Sequence, residues 1–168
     1  MYDESLPEAV GRMLITRGCT IAIAESCSGG LVSHMMTDVS GISQIFLGGI
    51  TAYSNSAKVK FLRVPTEVIE NYGAVSKECA LCMAEGVKRE FESDMGIGIT
   101  GIAGPEGGTI EKPVGTVFMA LSARSGSRGF SFQFLGDRRA VKMQTAQMAL
   151  KMVRRYLLEN DAFFQENH

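Results

Sequence analysis

The chain has 168 residues, 45% of them hydrophobic, and its 17 basic and 18 acidic residues leave a formal net charge of -1. That length suits one domain with a substantial core, and the balanced charge gives no electrostatic case for a nucleic-acid partner. No apolar run approaches the roughly 20 residues that span a bilayer, and the acidic start Met1-Tyr2-Asp3-Glu4 lacks the pattern of a signal peptide. No membrane partner and a cytoplasmic location are therefore expected.

Segments of two periods alternate along the chain. Leu6, Val10, Met13 and Leu14 form one stripe and predict a helix over 6–16. A strand over 20–24 and a helix over 28–37 follow, with Ser28 placed as the helix cap. The pattern then gives a strand over 46–52 and short helices over 56–62 and 66–71. A long helix runs from a Ser76 cap to about residue 91. Strands are expected over 95–100, 114–122 and 129–134, the last two as a hairpin across 124–128. A closing helix covers 140–158, and Met35, Met36, Met143, Met148 and Met152 fall at helical positions expected to face the core. This alternation predicts an α/β single domain over 1–168: a three-layer α/β/α sandwich with a mixed β-sheet.

The four cysteines do not read as a metal site or a disulfide framework. Cys79 and Cys82 form a C-x-x-C inside a helical pattern, Cys19 and Cys27 stand apart, and His34 and His168 have no companions at ligand spacing. No metal and no cofactor are expected.

Three strings carry chemistry. In Ala24-Glu25-Ser26-Cys27-Ser28-Gly29-Gly30 a strand turns into a helix, with Ser26 at the bend and glycines that let backbone approach a ligand. A hydroxyl beside a helix N-terminus is a place where a nucleophile can meet an oxyanion or a phosphate. Thr100-Gly101-Ile102-Ala103-Gly104-Pro105-Glu106-Gly107-Gly108 is a glycine-rich loop after a strand, suited to wrapping an anionic group, and it fits neither a Walker loop nor a dinucleotide fingerprint. In Tyr53-Ser54-Asn55-Ser56-Ala57-Lys58 a lysine follows a strand end, and a lysine whose pKa is lowered can serve as base to a serine. His34 would lie two turns into a helix and His168 is terminal, so neither suits a Ser-His pair. Glu25 is read as either a lysine partner, a ribose ligand or a cap, with the structural role favoured.

Together the strings AESCSGG (24–30), ITAYSNSAK (50–58), GAVS (73–76), TGIAGPEGG (100–108), EKPVGTV (111–117) and GDRRAV (136–141) resemble the CinA C-terminal domain family, the nicotinamide-nucleotide amidases. The chain begins almost at that domain and so looks like a stand-alone form. The resemblance implies hydrolysis of the carboxamide of nicotinamide mononucleotide (NMN) to nicotinate mononucleotide and ammonia. It also implies a homodimer as the expected assembly. Carried over residue by residue, Ser26 is the nucleophile, Lys58 its base and Tyr53 an assisting hydroxyl, with Ser28 a rival nucleophile. Ser28, Gly29 and Gly30 would hold the oxyanion, while Thr100, Gly101, Ala103 and Gly104 would take the ribose phosphate with a cation from Arg138, Arg139 or Lys112, Arg138 favoured. In a competing layout the Gly29-Gly30 helix end takes the phosphate. The alternative function is a catalytically silent module that binds a nucleotide or partner in a competence or damage response.

Overall fold

A computed structural model describes residues 4–165. The chain enters helix α1 (Leu6–Arg17) through a cap in which the Ser5 amide and hydroxyl both donate to the Glu8 carboxylate at 2.9 and 2.6 Å. Gly18 ends it in the left-handed region at φ 59°. Strand β1 (Ile21–Glu25) then runs through the middle of the molecule, followed by α2 (Leu31–Thr37) and β2 (Phe46–Thr51). Three helices, α3 (Asn55–Leu62), α4 (Thr66–Tyr72) and α5 (Lys77–Glu90), lead to β3 (Met95–Gly101). The hairpin β4 (Thr116–Ala123) and β5 (Gly126–Gln133) precedes α6 (Arg138–Glu159).

The five strands form one sheet in the order β2-β1-β3-β4-β5. β1 pairs in parallel with β2 and β3, and β4 and β5 continue the sheet antiparallel, so the sheet is mixed. Side-chain alternation sends Ile21, Ile23, Ile97, Ile99, Met119 and Leu121 into a core beneath α1, α2 and α6. Ala22, Ala24 and Ala120 face the other way, against α5. The result is the expected three-layer α/β/α arrangement. After β1 the chain leaves toward β2, whereas after β3 it leaves toward β4. The two departing loops open a crevice at the carboxyl ends of β1 and β3, the usual place for a ligand in such sheets.

Several boundaries differ from the sequence expectation. Helix α2 starts at Leu31, three residues after Ser28, with Gly30 as its cap residue. The cause is local: Gly29 and Gly30 sit at φ 65° and 94°, a left-handed turn from which an α-helix cannot already have begun. The Ser28 hydroxyl is buried and caps nothing. The hairpin turn is tighter than expected, since Ala123 already pairs with Gly126. Among the core methionines, Met36 and Met152 are buried as expected, but Met143 is exposed. A short 3-10 turn over Asn160–Phe164, which the periodicity did not signal, plants Phe163 in the core. His168 lies outside the described residues.

Candidate active site

Alternation along β1 decides where the first motif points. Ile21, Ile23 and Glu25 belong to one side of the strand, and Ala22 and Ala24 to the other. The Glu25 carboxylate lies under α2 and accepts the amides of Gly30, Val32 and Ser33 at 3.1, 3.1 and 2.8 Å, together with the Ser33 hydroxyl at 2.8 Å. A carboxylate there supplies the acceptors that the helix start lacks and complements its positive end. Glu25 is thus the cap of α2, the structural option of the three considered, and it does not pair with Lys58. The Gly29 amide is also taken, donating to the Ser26 carbonyl at 3.1 Å.

One position on, Ser26 holds its amide to the Ile99 carbonyl at 3.0 Å, continuing the β1–β3 pairing past the strand end. Its side chain meets α3, which starts at a Ser54 cap and carries Lys58 at the end of its first turn. The Lys58 Nζ donates to Ser26 Oγ at 3.1 Å. Both residues are buried, Lys58 at 2% exposure and Ser26 at 7%. Burial pushes the Lys58 pKa below the ordinary lysine value, because no carboxylate offsets the cost of charging it there. The thiols of Cys27 and Cys79 stand near the ammonium, and burial raises their own pKa values to about 12 and about 11, so both remain neutral. A lysine buried among uncharged groups and bonded to a serine hydroxyl is equipped to take that hydroxyl's proton.

A cavity of about 290 Å³ opens over this pair. Eight of the residues singled out from sequence line it: Ser26, Lys58, Tyr53, Thr100, Gly101, Ala103, Gly104 and Arg138. Ser28, Gly29 and Gly30 are not in its wall, since the turn at the two glycines carries them toward α2. Thr100 is 1% exposed and donates its hydroxyl to the Ala74 carbonyl at 2.7 Å, tying the GAVS segment to the end of β3. Gly101 leaves room for the Cys27 sulfur, which would lie 3.0 Å from a Cβ at that position.

The rim is organised by Arg138 at the start of α6. Its guanidinium donates to the Gly104 carbonyl at 2.6 Å and to the Tyr53 hydroxyl at 2.7 Å, joining three chain segments. Tyr53 therefore has its hydroxyl on Arg138, not on Ser26 or Lys58. Of the other cations considered, Lys112 donates to the carbonyls of Tyr72 and Val75 at 3.0 and 2.7 Å, a loop-bracing role, and Arg139 is not in the cavity wall. Sequence reasoning did not place Ala74 or Val75 in the wall, and it had Glu106 only as part of the loop expected to wrap an anion, with no role for its carboxylate. For Ala74 and Val75 the GAVS string was the available signal, read only as a turn. Among the described residues no group of three His, Cys, Asp or Glu side chains could hold a metal ion, and no helix is long and apolar enough to cross a membrane.

The CinA C-terminal domain model matches residues 3–157. A CinA-like protein of Desulfotalea psychrophila is 48% identical over 160 residues, which cover 95% of this chain and 39% of that protein. Another CinA-like protein, from Syntrophotalea carbinolica, is 48% identical over 155 residues, or 92% of this chain and 38% of its own. The chain thus spans about two fifths of the length of these relatives. A CinA superfamily protein of Klebsiella pneumoniae superposes with a TM-score of 0.89 at 32% identity, covering 92% of this chain and 96% of the other. The competence/damage inducible protein CihA of Agrobacterium tumefaciens gives 0.85 at 36% identity, covering 90% and 95%. The chain belongs to the CinA C-terminal domain family.

Proposed function

We propose that this domain is a serine amidohydrolase that converts NMN to nicotinate mononucleotide and ammonia. The observation that carries the reading is the buried 3.1 Å bond between Lys58 Nζ and Ser26 Oγ at the floor of the cavity. Neutral Lys58 takes the Ser26 proton as Oγ attacks the carboxamide carbon. The tetrahedral oxyanion meets the amide of Cys27, the residue after the nucleophile, which donates to no backbone carbonyl among the described residues. Protonated Lys58 then returns its proton to the departing nitrogen and ammonia leaves. Water, deprotonated by the same lysine, opens the acyl ester and regenerates Ser26. Thr100, Gly101, Ala103 and Gly104 line the path for the ribose phosphate, and Arg138 supplies the cation.

The assay is ammonia release from NMN, with EDTA present, by wild type, Ser26→Ala and Ser28→Ala proteins. Ser26→Ala should lose about a thousandfold or more in turnover, while Ser28→Ala keeps the reaction. Loss confined to Ser28→Ala would overturn the nucleophile. A folded wild type that releases no ammonia would point to the binding module, with Ser26 and Lys58 serving only to fix the loop.

A further inference from the structure

The cavity carries two opposite charges that are not paired with each other. Arg138 and Glu106 both line it, yet neither takes part in an ion pair within 4.0 Å among the described residues. The hydrogen bonds of Arg138 go to two neutral oxygens, those of Gly104 and Tyr53. Glu106 is the one carboxylate in the wall, on the exposed part of the Gly104–Gly107 loop. Opposite charges that share a 290 Å³ space without meeting suit a ligand that is itself dipolar, with its own cation toward the carboxylate and its anion toward the guanidinium.

Tyr53 adds the shape of that cation. Its hydroxyl is anchored on Arg138, and the residue remains 61% exposed while belonging to the cavity wall. An aromatic ring tethered at one end costs little ordering when a flat ligand stacks on it, and it attracts positive charge. The Tyr53 hydroxyl is thus engaged at the rim, while Lys58 Nζ and Ser26 Oγ bond one another at the floor.

We infer that Tyr53 and Glu106 select a planar aromatic cation, so that the cavity takes zwitterionic nucleotides with a quaternised ring in preference to those with a neutral ring. The inference rests on the amidase reading for the identity of the substrate, in which the ring nitrogen is the cation and the phosphate the anion. Tyr53 is then a specificity residue that holds the ring, not a relay for protons. Glu106 provides the counter-charge, and Arg138 serves twice, as tether for Tyr53 and as partner of the phosphate.

The test is calorimetric titration of the Ser26→Ala protein with NMN and with its reduced dihydropyridine form, two ligands that share phosphate, ribose and carboxamide but differ in ring charge. The Ser26→Ala background should bind the oxidised ring about tenfold more tightly. Tyr53→Leu and Glu106→Gln, each added to that background, should remove most of the preference. Tyr53→Phe, which keeps the ring and loses only its tether, should retain more of it than Tyr53→Leu. In the Ser26-containing enzyme, Tyr53→Leu should act mainly on KM. Equal binding of the two ligands by the Ser26→Ala protein would overturn the inference. A kcat for Tyr53→Phe as low as that for Ser26→Ala would also overturn it, since the hydroxyl would then be catalytic. Failure of the amidase reading is seen separately: wild type would release no ammonia while the ring preference in the titration persists.

Discussion

The two faces of the sheet are built to opposite rules. Under α1, α2 and α6 the strands present Ile21, Ile23, Met95, Ile97, Ile99, Met119 and Leu121, a thick apolar layer. Under α5 they present Ala22, Ala24, Gly96, Gly98 and Ala120, where hardly a side chain separates helix from strand. A Cβ at Gly96 or Gly98 would overlap the carbonyl of Ala84 or Ala80, so the α5 backbone rests directly on β3. The same device repeats one layer out, where Gly86 of α5 admits the Leu62 carbonyl of α3 and Arg89 donates to that oxygen at 3.2 Å. Leu62 and Lys58 are one helical turn apart on the buried side of α3. The thick face supplies burial at roughly 2 kcal/mol for each large side chain. The thin face supplies position: backbone contacts from β3 through α5 to α3 set where Lys58 stands relative to Ser26.

If that division is correct, the largest effect belongs to Gly98→Val. Valine favours strands, yet here it must push α5 off the sheet, and urea unfolding should register a loss of about 3 kcal/mol or more. A variant within about 1 kcal/mol of wild type would break the comparison. Lys58→Met should separate position from stability. Turnover should fall by about a thousandfold or more, while stability at neutral pH is held or raised by about 1 kcal/mol, because a desolvated amine gives way to an apolar side chain.

The pH dependence follows from the direction of the Lys58 shift. Its folded pKa lies below the ordinary value of 10.5, so between the two values the unfolded chain binds the extra proton. Wild-type stability therefore rises with pH through that window, and below the folded value the penalty of burying the amine is complete. The difference in stability between wild type and Lys58→Met should narrow across the same interval. In the proposed mechanism the ascending limb of kcat/KM reports loss of the Lys58 proton, and it should sit below the usual lysine range. On the thick face, Ile97→Val should cost only about 1 kcal/mol and leave turnover unchanged. A large activity loss there would mean that both faces position the site.

The order of helices and strands was legible because each period runs long enough to declare itself: the Ser76 cap, the stripe of α1 and the apolar β1 are all local signals. The mixed sheet followed from alternation plus one hairpin. The start of α2 was not legible, since Ser28 has the side chain of a cap and only the conformations of Gly29 and Gly30 exclude it from that role. The pairing of Ser26 with Lys58 came into view through the family strings and the lack of a suitable histidine. What the strings could not convey is parity across the sheet, which sends Glu25 under one helix and Ser26 toward another. The tether of Tyr53 to Arg138 spans 85 positions and left no periodic trace. The exposure of Met143 was equally invisible, because a helical position alone does not say which side of α6 is covered.

The Glu25 cap has a consequence for ionic strength. With that carboxylate on the amides of Gly30, Val32 and Ser33, those donors at the start of α2 are already engaged. In the proposed function anion recognition is assigned to Arg138, an exposed side chain whose reach is set by the surrounding salt. The Ser26–Lys58 bond, buried at the cavity floor, is screened far less. For the proposed amidase, added salt should therefore raise KM for NMN while leaving kcat almost untouched, so that one cavity would contain a salt-sensitive entrance and a salt-indifferent floor.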